Sequence, residues 1–268
     1  MNFRGLTTAI LLIFSQPLVA DISITFLGNE GVLLSDDSNK VLIDGFLAEP
    51  FAIYEGLTEP ARALQSRAAA PFDKIGLALA SHQHFDHFQP DQACRFLKAS
   101  PATLFVSSPQ VQALLKDRCK PFAASHKNIR TVVPALGVSE LLRQGGYSAE
   151  IFPLSHGVGK YAKLQNYGHL VEIGGMTVLH IGDAAMDPAD FIVAGLQNRQ
   201  LDVALIPYWF LVQTTGRQLV AQYMNARHKI AVHIPPKEFQ EIKTILADEM
   251  PEVMVFDSRM SELRFSAQ

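Results

Sequence analysis

The chain has 268 residues, 48% of them hydrophobic, with 23 Lys and Arg against 26 Asp and Glu for a formal charge of −3. That length and apolar content suit one globular domain with a sizeable core. The missing basic excess argues against the electrostatic footprint of a nucleic-acid-binding protein, so no nucleic-acid partner is expected.

Residues 1–20 stand apart from the rest. Arg4 precedes an apolar run from Leu6 to Phe14, and Leu18-Val19-Ala20 ends at a small residue before Asp21. The pattern reads as an export leader, which places the mature domain at 21–268 in the periplasm or outside the cell. The bland alternative is an N-terminal core helix. The apolar run is shorter than the ~20 residues that span a bilayer, and no later segment is long and apolar enough to do so.

Strand-like runs follow at Ile22 to Leu27, Gly31 to Leu34 and Lys40 to Asp44. Gly45 to Phe72 carries three prolines around Ala-rich helical pieces and reads as an irregular excursion suited to a lid. Next come an apolar strand at Ile75 to Ser81, a helix at Asp91 to Ala99, a strand at Ala102 to Ser107 and a helix at Pro109 to Arg118. Strands are expected at Thr131 to Pro134 and Ser148 to Pro153, and a hairpin at Leu170 to Ile181 around Gly174-Gly175. The last third alternates helix (Pro188 to Leu196, Gln218 to Asn225, Lys237 to Asp248) with strand (Val203 to Ile206, Ile230 to His233, Val253 to Phe256). The order gives a mixed α/β sandwich. Cys94 and Cys119 fall on or beside consecutive helices; they pair as a disulfide or remain two buried thiols.

The chemistry concentrates after the Ile75 strand, in His82-Gln83-His84-Phe85-Asp86-His87. Four of these six side chains are metal-ligating types, and neutral imidazole with carboxylate is the donor set of zinc hydrolases. One tetrahedral ion would not easily take four such close neighbours, so His82 and His84 suit one ion, Asp86 and His87 a second. His156, Asp183 and His233 each stand where an apolar strand gives way to a turn, the place where functional residues gather on a rigid scaffold.

With these residues in order, the chain resembles the metallo-β-lactamase-fold superfamily of metal-dependent hydrolases over nearly all of residues 21–268. The resemblance implies a four-layer αββα sandwich with two metals at one edge, between the sheets. It implies that His82, His84 and His156 hold the first metal, that Asp86, His87 and His233 hold the second, and that Asp183 bridges them. Asp44 matches an acidic position that supports the ligands from behind; a turn-forming Asp before Gly45 is the alternative. The presence of Asp183 and the absence of Cys from the ligand motifs make the chain more similar to the lactonase, phosphodiesterase and phospholipase D-like branch than to enzymes acting on antibiotics.

The expected activity is therefore hydrolysis of an ester, lactone or phosphodiester by a hydroxide bridging two divalent metals, zinc by preference and manganese or iron as alternatives, with Asp86 orienting the hydroxide. The substrate is expected to be a small or lipid-like molecule. A di-iron redox protein and a non-enzymatic periplasmic metal-binding protein of the same fold are the alternatives. His126, His169, His180 and His228 are read as structural; strand alternation puts His180 on the face opposite Asp183. Tyr208, Trp209 and Phe210 either line the mouth in a loop or pack in a core, and Tyr161 and Tyr167 are candidate donors to a substrate oxygen.

Overall fold

The computed structural model describes residues 21–267; the leader-like segment lies outside them. Six strands build most of the first sheet: β1 (Ile22–Gly28), β2 (Gly31–Ser35), β3 (Lys40–Ile43), β4 (Leu77–Leu79), β5 (Leu104–Ser107) and β6 (Ile129–Thr131). The second sheet follows with β7 (Glu140–Gln144), β8 (Tyr147–Ser155), β9 (Gln165–Ile173), β10 (Met176–His180), β11 (Val203–Pro207), β12 (His228–Val232) and β13 (Val253–Val255). A last strand, β14 (Glu262–Phe265), returns to the first sheet and pairs antiparallel with β1. The orders are β14-β1-β2-β3-β4-β5-β6 and β13-β12-β11-β10-β9-β8-β7.

Each sheet is antiparallel on one side and parallel on the other, β3 to β6 and β10 to β13. Parallel neighbours need long crossovers, and helices supply them. In the first half these are α1 (Glu59–Ser66), α2 (Pro90–Ala99), α3 (Pro109–Arg118) and α4 (Phe122–Ser125). In the second they are α5 (Pro188–Val193), α6 (Tyr208–Val212), α7 (Thr214–Tyr223) and α8 (Phe239–Glu249).

Period-two alternation sorts the apolar residues into layers. Val32, Leu34, Val41, Ile43, Leu77 and Leu79 face Ala149, Ile151, Val171, Val178, Val203 and Ile230 across the gap between sheets. Leu33, Leu42 and Ala78 point the other way, under α1 to α4. Leu179, Ala204, Ile206 and Ala231 meet α5 to α8. The result is the αββα sandwich.

Several expectations change. The Gly45 to Phe72 excursion is tied down rather than loose: Phe46 and Leu47 are buried, α1 lies within it, and the Gln65 side chain donates to the Gly45 carbonyl at 2.8 Å. Tyr208 to Phe210 begin a helix, and Phe210 is core. Strands β7 and β14 escaped the sequence reading because their polar residues and short length blur the alternation. Cys94 on α2 and Cys119 just after α3 form a disulfide, with Cα atoms 5.6 Å apart.

Candidate metal centre

Five strand ends meet at one edge of the gap between sheets. Asp44 follows β3, the His82 to His87 loop follows β4, His156 follows β8, Asp183 lies just past β10, and His233 follows β12. A crevice outside the carboxyl ends of parallel strands is where α/β sheets place ligands. The loop folds back tightly, with the His87 and Phe88 amides both donating to the His84 carbonyl, so four polar side chains crowd one side.

The seven residues singled out from sequence are brought together. His82, His84, His156 and Asp183 form one group whose donor atoms lie within 4.8 Å of one another, and Asp86, His87 and His233 form another. Asp183 stands between them: Oδ2 is 3.2 Å from His156 Nε2, and Oδ1 is 3.2 Å from His87 Nε2 and 3.1 Å from His233 Nε2. Ring nitrogens face each other at 3.0 Å (His82 Nε2 to His84 Nδ1), 3.2 Å (His156 Nε2 to His84 Nδ1) and 3.1 Å (His87 Nε2 to His233 Nε2). Asp183 Oδ1 is buried yet accepts no well-formed hydrogen bond among the described residues. Converging nitrogen lone pairs and an unsatisfied carboxylate oxygen fit divalent cations.

Burial and neighbouring charges set how these groups hold their protons. Burial pulls the His82 imidazole well below its ordinary value, and burial with the neighbouring His156 lowers His84, so both stay neutral with a lone pair to give. Burial would raise Asp183, but the His87 and His233 charges outweigh it and hold the carboxyl well below the usual range. Burial would likewise lower His87; the Asp183 and Asp44 carboxylates instead raise it well above an ordinary imidazole.

Asp44 orients the set from behind. It is buried, approaches His87 Nδ1 at 2.8 Å, and accepts from the Ser81 amide at 2.6 Å and the Ser81 hydroxyl. Burial works against its charge, yet the His87 hydrogen bond and the His180 charge prevail and depress it. The hydrogen bond to Nδ1 leaves His87 Nε2 facing the cluster, the usual way an outer carboxylate fixes a metal-binding imidazole.

Other histidines stay outside. His180 is the last residue of β10 and points into the gap, its Nε2 3.1 Å from the Glu30 carbonyl, and Gly182 (φ 53°) then swings Asp183 toward the site. His126 packs on Phe122, His228 on Phe265, and His169 is wholly buried. Tyr161 stacks on His156 with centroids 5.0 Å apart, whereas Tyr167 is buried and donates to the Val132 carbonyl, which removes it as a substrate contact. Trp209 lies edge-on to His233, centroids 4.9 Å apart, while Tyr208 reaches toward Glu238.

Three neighbours were missed in the sequence. Asn29 donates to the Asp86 carbonyl at 2.9 Å, Tyr54 sets its ring against His233 at 4.5 Å, and Glu30 is buried beside His87 and Asp183. Burial raises the Glu30 carboxyl well above the ordinary carboxylate range. The available signal was Gly28-Asn29-Glu30-Gly31, polar residues between two apolar strands, which reads equally well as a plain turn.

Fold and site together define a metal-dependent hydrolase built on the metallo-β-lactamase sandwich. The chain belongs to the beta-lactamase superfamily domain family, whose model matches residues 39–245. A metal-dependent hydrolase of Pyrococcus furiosus is 23% identical over 254 residues, covering 90% of this chain and 100% of the relative. Two solved structures share the fold. The isothiocyanate hydrolase from Delia radicum gut bacteria superposes with TM-score 0.62 at 15% identity, covering 91% of this chain and 100% of that one. A metallo hydrolase of Ignicoccus hospitalis does so with TM-score 0.59 at 15% identity, covering 92% and 100%. The family and its hydrolase relative set aside a non-enzymatic role.

Proposed function

We propose that the protein is a dinuclear hydrolase that cleaves an ester, lactone or phosphodiester bond in a small or lipid-like substrate. The observation that carries this reading is Asp183, which turns one carboxylate oxygen toward His156 and the other toward His87 and His233. In this reading His82, His84 and His156 hold one ion, Asp86, His87 and His233 the other, and Asp183 both. Bound divalent ions would supply a water acidified toward neutral pH and polarise the substrate oxygen. Zinc suits the imidazole-rich set, and manganese or iron is compatible with it.

The chain's own residues do the positioning. Asp86 Oδ2 lies 3.7 Å from His233 Nε2 and is placed to hold a proton of the attacking water. Asn29 fixes Asp86 through its carbonyl. Burial and the Asp86 and Asp183 charges raise the Tyr54 phenol, so it stays protonated as a donor at the rim. Export of the domain 21–268 belongs to the same proposal, supported by the leader pattern and by the Cys94–Cys119 disulfide, which favours an oxidising compartment.

The test is metal analysis joined to turnover of 4-nitrophenyl acetate, a lactone and bis(4-nitrophenyl) phosphate. Two ions per chain are expected, and Asp183→Ala and His84→Ala should lose both metal and turnover. Full turnover by chelator-stripped protein would refute the reading. A coloured iron protein without hydrolysis would point to redox chemistry.

A further inference from the structure

A cavity of about 290 Å³ opens beside His233, between the β1–β2 turn and the ends of β12 and β13. Phe26, Ile234, Phe239, Val255 and Phe256 line it, and the rings of Phe26 and Phe256 stack with centroids 5.0 Å apart. Its volume is about twice that of a ~150 Å³ apolar cavity known to take benzene. At the edge shared with the candidate metal centre stand Asn29 and His233, 5% and 3% exposed.

Each of these two keeps a buried polar atom with no hydrogen-bond partner among the described residues, Asn29 Oδ1 and His233 Nδ1. The Asn29 amide is oriented by Nδ2 donating to the Asp86 carbonyl, so the orphan Oδ1 is an acceptor. His233 turns Nε2 toward Asp183 and His87, which leaves Nδ1 as the nitrogen to carry the proton. Buried polar atoms of this kind are normally satisfied, and an apolar pocket with a few convergent polar groups is the usual form of a ligand site. At the mouth, Arg259 is paired with Glu55 at 3.2 Å and Asp257 with Lys243 at 3.0 Å, so the ionic groups there are already matched.

We propose that this cavity binds the uncharged apolar part of the substrate, an alkyl or aryl group of roughly six to ten carbons by comparison with the benzene cavity. Its polar junction, a hydroxyl or a group of like capacity, donates to Asn29 Oδ1 and accepts from His233 Nδ1. The assignment of this group to a substrate rests on the hydrolase reading; its binding does not.

The experiment uses 1-octanol as probe and Trp209, the chain's single tryptophan and a neighbour of His233, as reporter. Saturable octanol binding to the metal-loaded protein, by Trp209 fluorescence and calorimetry, is expected. Ser258→Phe and Ile234→Phe, which fill the cavity from two sides, should weaken it by about tenfold or more, the loss from excluding two methylenes. The preference for 4-nitrophenyl octanoate over the acetate should fall in parallel. Two variants with checked melting temperatures guard against one misfolding. No saturable binding to the unaltered protein, or unchanged binding in both folded variants, would overturn the inference. Octanol binding that responds to both variants, with no ester, lactone or phosphodiester turned over, would keep the cavity assignment and sink the proposed hydrolytic reading instead.

Discussion

Asn29, Asp44 and His233 share a left-handed backbone, with φ of 49°, 47° and 60°. L-residues adopt it at a cost of about 1–3 kcal/mol where no compensation exists, and such residues gather at functional sites. Here it aims three side chains into one cleft. Asp44→Asn keeps the shape but removes the charge that fixes His87. Metal affinity should drop roughly 10–100-fold, the usual cost of losing such a partner, read by competition with a chelator. A second residue-scale expectation concerns His169, wholly buried with neither ring nitrogen hydrogen-bonded among the described residues, and pulled down to about 3 by burial. Its folded value lies below the unfolded value of 6.5, so the unfolded chain binds the extra proton between the two. Stability is therefore complete above 6.5 and lost as pH falls toward 3, by roughly 3 kcal/mol between pH 7 and pH 4. His169→Leu should move the acid-unfolding midpoint to lower pH. An unmoved midpoint would show that other groups govern acid unfolding.

At the scale of elements, the tight His84 turn and the five strand ends do the assembly. The loop and its strand were legible because Leu77 to Leu79 are apolar and the next polar residues come at ligand spacing. His156, Asp183 and His233 were legible for the same reason, each ending an apolar strand. Asn29, Glu30 and Tyr54 were not, since their part depends on which loop lies across which, and no local pattern records that. Tyr167 misled because its neighbours suit a loop, while β9 runs from Gln165 and carries its ring into the core. The helices offer a separate test. The disulfide joins residues 25 apart in sequence, linking α2 to the end of α3. Chain-entropy arguments give a cross-link of that span about 3.5 kcal/mol. The double variant Cys94→Ala, Cys119→Ala should unfold at correspondingly lower urea, with the m-value reporting any change in the denatured state.

At the largest scale, the described residues form nearly two half-chains laid down in succession, each a sheet with its own helices, and among their strands only β14 crosses back. His82, His84, Asp86 and His87 come from the first half, His156, Asp183 and His233 from the second. Ligand binding confined to the native state stabilises it by mass action, about 2.7 kcal/mol at a hundredfold excess over Kd. Chelation should therefore lower the melting temperature by several degrees, and the effect should vanish in Asp183→Ala. Metal bound by the two halves at once would act as a rivet through the joint of the sandwich. Were the chain cut in the segment at residues 132–139, the two pieces would be expected to find each other far more tightly with the rivet than without it, so that metal supply would govern assembly as well as chemistry.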